Sequence, residues 1–62
     1  MKVPVKITGG ALQEVEAKTV GEVKNALGVG KYTANVNGSP ASDSKVLGEN
    51  DFVTLAPPVK GN

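Results

Sequence analysis

Residues 50–62 read Asn50-Asp51-Phe52-Val53-Thr54-Leu55-Ala56-Pro57-Pro58-Val59-Lys60-Gly61-Asn62. Phe52 to Ala56 is rich in β-formers and has no breaker, which predicts a strand. Alternation places Val53 and Leu55 on one face and Phe52 and Thr54 on the other. Pro57-Pro58 stops the strand. Proline fixes φ and pushes the preceding residue towards extended backbone, so residues 57–62 are expected to project as a tail. A strand this apolar suits the centre of a sheet, and it takes that place if it runs parallel to the first strand.

That first strand is Met1 to Thr8. Val3, Val5 and Ile7 share one face; Lys2, Pro4, Lys6 and Thr8 share the other. Pro4 has no N–H, so that side should face no ladder, as at a sheet edge or a strand start. Gly9-Gly10 predicts a two-residue hairpin loop, and Ala11 to Ala17 returns as a second strand, with Ala11, Gln13, Val15 and Ala17 on one face and Leu12, Glu14 and Glu16 on the other. Thr19-Val20-Gly21-Glu22 has the spacing of a capping box, with Thr19 as N-cap. Val20, Val23 and Leu27, with Ala26 beside them, form an apolar stripe; Lys24 and Asn25 fall outside it. Gly28 ends a helix of about nine residues, which is too short to stand without a sheet beneath it. Gly21, in its first turn, allows a close approach to a strand or is simply tolerated.

Tyr32, Ala34 and Val36 alternate with Thr33 and Asn35 in a third strand, with Tyr32 on the core side. Asn37-Gly38 is a turn. Ser39 to Ser44 reads as an irregular polar loop, Val46 and Leu47 return to the core, and Gly48 to Asp51 turns again. The result is α+β: a hairpin, a helix, a strand, a loop and a strand, with the helix on one sheet face.

Sixty-two residues make one domain at most. A chain this short buries about 60% of its unfolded surface. It has no cysteine and no histidine, which removes disulfides and a structural zinc site. Net stability of about 3–5 kcal/mol is expected. Seven lysines against six acidic residues give a net charge of +1, and the aromatics are Tyr32 and Phe52 alone. Neither a basic stripe nor a stacking platform for nucleic acid follows from this. There is no apolar run of membrane-spanning length, and the cysteine-free chain is expected in the cytoplasm. Without His, Cys, Arg or Trp, and with every carboxylate in a polar context, no independent active site and no cofactor are expected.

The order ββαββ with a short capped helix resembles the β-grasp, or ubiquitin-like, fold. Thr19 to Val29, Ala34 to Ala41 and Asn50 to Asn62 resemble the small sulfur carriers of the MoaD/ThiS type. The two prolines favour the small subunit of molybdopterin synthase over the thiamine carrier. The resemblance runs from end to end, and its most specific part is Pro57-Pro58-Val59-Lys60-Gly61. It implies a carrier rather than an enzyme, with a body over residues 1–56 and an extended tail over 57–62. In that family an E1-like adenylyltransferase activates the terminal glycine carboxylate, which becomes a thiocarboxylate. The tail then delivers sulfur within the large synthase subunit. Side-chain-poor residues suit a tail that threads a channel.

The family ends in Gly-Gly, whereas this chain ends in Gly61-Asn62. Unless Asn62 is removed, the reactive carboxylate belongs to Asn62. Three readings follow: Asn62 is trimmed, the terminus has been altered, or the chain keeps the fold only to bind a partner or itself. On either of the functional readings Phe52 and Thr54, opposite Val53 and Leu55, are candidates for a partner-binding face.

Overall fold

The structure is a computed structural model, described here over residues 2–58. Six elements follow in order: β1 (Lys2–Ile7), β2 (Leu12–Glu16), α1 (Val20–Leu27), β3 (Thr33–Val36), β4 (Ser39–Ala41) and β5 (Val53–Ala56). They form a five-stranded sheet in the order β2-β1-β5-β3-β4. The last strand is central. It pairs parallel with β1 (Val5 with Val53, Ile7 with Leu55) and antiparallel with β3. The class is α+β, as expected.

The alternation of β1 and β5 becomes burial. Val3, Val5, Val53 and Leu55 are wholly buried beneath Val20 and Val23 of α1, and Val15, Ala17, Ala34, Val36 and Leu47 complete the core. Tyr32 packs at its margin. Pro4 lies in an interior strand and not at an edge. The exception is still a strand start: Thr8 N–H donates to Leu55 O at 2.8 Å, so even-numbered residues of β1 address β5. The β1–β5 pairing begins only at Val5, one residue beyond Pro4.

Thr19 caps α1, its hydroxyl accepting from Glu22 N–H at 3.2 Å. The Glu22 carboxylate reaches back one residue further than a capping box requires, accepting from Lys18 N–H at 2.8 Å. At the other end Gly28 has φ +70°. Gly28 N–H donates to Asn25 O and Val29 N–H to Lys24 O, closing a Schellman motif.

Four expectations need correction. The first hairpin turns on Thr8-Gly9, with Gly10 N–H bonded to Ile7 O and Gly9 at φ +81°, so its loop is longer than Gly9-Gly10 alone. Ser39–Ala41 is an edge strand, because Asn37 (φ +53°) and Gly38 (φ +86°) form a hairpin turn that folds it back on β3. Lys24 is buried and Ala26 exposed, the reverse of the expected stripe. Of the pair Val46 and Leu47, only Leu47 enters the core; Val46 is 69% exposed.

Burial of Lys24 has a specific cause. Its ammonium donates to Asp43 at 2.6 Å, and the Asp43 side chain is itself 63% exposed to water. The segment 43–47 straps the start of α1 through this pair. Val20 N–H donates to Lys45 O, Gly21 N–H to Asp43 O, and Leu47 N–H to Lys18 O. A Cβ on Gly21 would stand 3.1 Å from the Asp43 carbonyl oxygen. The close approach that Gly21 permits is therefore to this strap.

Candidate functional site

The sheet face away from α1 is open. Its register aligns one row across all five strands: Leu12, Lys6, Thr54, Asn35 and Pro40. With strands about 4.8 Å apart, this row spans roughly 19 Å. It is mostly polar, with Leu12 (61% exposed) at its β2 edge. Thr54 lies at its centre, half-buried between Lys6 and Asn35.

Phe52 is exposed, as expected, at 37%. Two side chains that the sequence reading took only as turn residues hold Phe52 in place. The Asn37 carboxamide oxygen accepts from Phe52 N–H at 2.9 Å, while Asn37 N–H donates to Phe52 O at 2.8 Å. The Asn37 amide also donates to Asp51 Oδ1 at 2.9 Å, and Gly48 N–H donates to Asp51 Oδ2 at 2.8 Å. The Gly48 N–H and then the Asn37 amide hold the Asp51 carboxyl below its usual range; desolvation opposes them, and nearby Lys45 adds to the lowering. The Asn37-Gly38 and Gly48–Asp51 turns are thus one clasp at the start of β5. The sequence signal was present in each turn, but nothing local linked them.

At its other end β5 passes Ala56, opposite Thr33, and continues into Pro57 and Pro58, both exposed. The remaining candidate tail residues, Val59, Lys60, Gly61 and Asn62, lie outside the described residues. The structure therefore separates the two predicted site regions along one strand. Phe52 lies at the clasped end, Thr54 in the middle, and the tail departs from the opposite end. The distance from Phe52 to Pro57 along the chain is about 17 Å at 3.3 Å per residue.

A shallow concavity beside β4 is lined by Val36, Asn37, Ser39, Pro40, Ala41 and Lys45, among others. Among the described residues no group of His, Cys, Asp or Glu is placed to hold a metal ion. Among the described residues no helix is long and apolar enough to cross a membrane. The site as built offers an open sheet face and a strand end that leads into exposed Pro57 and Pro58.

No family model matches the chain, and neither does any curated protein. Among solved structures, the crystal structure of SAMP1 from Haloferax volcanii is similar to it, with a TM-score of 0.74, 20% sequence identity and 100% of both chains covered. The central parallel β5, the β1–β2 hairpin and the single helix packed on one face agree with that likeness, and the chain has the β-grasp, ubiquitin-like fold.

Proposed function

We propose that this chain is a small ubiquitin-like carrier of the MoaD/ThiS type that presents its C-terminal tail to a partner enzyme in the cytoplasm. The observation that carries this reading is the course of β5. A central strand, buried on one face and paired on both edges, leads directly into exposed Pro57-Pro58. A rigid root and two φ-restricted residues lower the entropy lost when a tail is gripped. The motif Pro57-Pro58-Val59-Lys60-Gly61 supplies the family-specific part, and Phe52 and Thr54 supply a docking face. Partners on this reading are an E1-like adenylyltransferase and a large synthase subunit, and the chain itself does no catalysis.

The second reading is a β-grasp interaction module that binds a partner, or itself, without sulfur chemistry. Intact-mass spectrometry separates the two. The chain is incubated with the adenylating enzyme from its own source, ATP and sulfide. A gain equal to the difference between one sulfur and one oxygen supports the carrier. An unchanged mass, for both the full chain and a version ending at Gly61, leaves the binding module as the function.

A further inference from the structure

The register sorts charge along the strand direction. Glu14 pairs with Pro4 and Glu16 with Lys2, both towards the clasped end of β1. Glu22 caps the start of α1, and Asp43 lies against Gly21 and Lys24. Glu49 and Asp51 occupy the turn that precedes β5. These are all six carboxylate side chains of the molecule.

The end from which the tail leaves has a different character. It comprises the β1–β2 turn, the α1–β3 connection and Ala56-Pro57. Its charged side chains are Lys31, two residues before Thr33 in that connection, and Lys6, one row in from the turn and opposite Thr54. Both are exposed, and neither forms an ion pair with a described residue. The carboxylate nearest to Lys6 in register is the diagonal Glu14, at a Cβ separation of about 7 Å. The C-terminal dipole of α1 also points this way, but its Lys24 and Asn25 carbonyls already accept from Val29 and Gly28. Lys60 follows in the tail sequence. A net charge of +1 therefore conceals a carboxylate-free, lysine-bearing end around the root of the tail.

We infer that the surface which receives this tail carries an acidic rim, and that Lys6 and Lys31 orient the tail end towards it. This rests on the tail-presenting reading and adds the chemistry of the partner. Charge complementarity of this kind raises association rate and fixes orientation more than it deepens final affinity. It also keeps the acidic, clasped end from approaching the same mouth.

The test is a titration of the isotope-labelled full chain with a ten-residue oligoglutamate peptide at low salt, followed through backbone amide shifts. Perturbations should concentrate at Lys6, Lys31, Thr33 and Ala56. The double variant Lys6→Gln/Lys31→Gln should bind about fivefold more weakly, as expected for two surface pairs of about 0.5 kcal/mol each. The variant Lys2→Gln/Lys45→Gln has the same net charge and should bind as the unaltered chain does. Equal losses in the two variants, or perturbations centred on Lys2, Lys18 and Lys45, overturn the inference. All four lysines are exposed, and the amide spectrum reports directly whether each variant is folded. Activation of the carboxylate does not enter this experiment, so its failure and that of the carrier reading are separate results.

Discussion

The two ends of the sheet are built on opposite plans. At the clasped end Asn37, Gly48, Asp51 and Phe52 are cross-linked by side-chain hydrogen bonds, and the strap 43–47 closes over the start of α1. At the tail end, turns and backbone bonds alone finish the elements: Gly10 to Ile7, Thr8 to Leu55, Tyr32 to Val29. One end invests in specific long-range contacts and carries Glu16, Glu49 and Asp51. The other leaves a strand end and two lysines free to meet something else.

If that contrast is real, damage should cost most at the clasped end. Leu47→Ala removes the buried anchor of the strap and should lower stability by about 3 kcal/mol, enough to leave much of the chain unfolded in water; urea denaturation measures it. Asn37→Ala should cost about 2 kcal/mol, since it removes both side-chain bonds and leaves a non-glycine residue at positive φ. Asn37→Gly relieves the backbone and should recover part of that loss, which separates the two causes.

Asp43→Ala leaves the Lys24 ammonium in its niche without a partner. Because Asp43 is largely exposed, water can enter, and about 1 kcal/mol is expected rather than the several of a fully buried pair. The Asp51 carboxyl is more acidic folded than unfolded. Its contribution is therefore present above pH ~4 and is lost as the pH falls through its lowered folded value. Asp51→Asn should flatten the loss of stability in that acid range, read from melting temperature against pH. Deletion of residues 57–62 should change stability least, by under about 0.5 kcal/mol in urea denaturation, because Pro57 and Pro58 are exposed. A large loss on that deletion would break the contrast and the tail-presenting reading together.

What could be read beforehand follows the range of the interactions. Val3, Val5, Val53 and Leu55 declared their burial through alternation, and Thr19 and Gly28 declared the limits of α1 through capping chemistry. Each signal lies within a few residues. β4 was missed because three residues containing Pro40 show no period, and only the turn before them folds them against β3. Lys24 was read only as outside the apolar stripe, because its partner stands 19 positions away. The clasp around Phe52 joins residues 14 and 15 positions apart.

The sequence by itself determined which stretches become strands and helix, which faces are apolar, and that proline stiffens the chain beyond Ala56. Those properties are set by steric limits on the backbone and by the period of side chains along one element. Only the tertiary structure decided that β5 enters between β1 and β3, that Lys24 is buried with its ammonium on the exposed Asp43, and that the β1–β2 turn and the α1–β3 connection, which hold no carboxylate side chain, share an end of the sheet with Ala56. Those outcomes depend on which distant segments share one small core, and no local pattern encodes the identity of a partner that chain closure brings near.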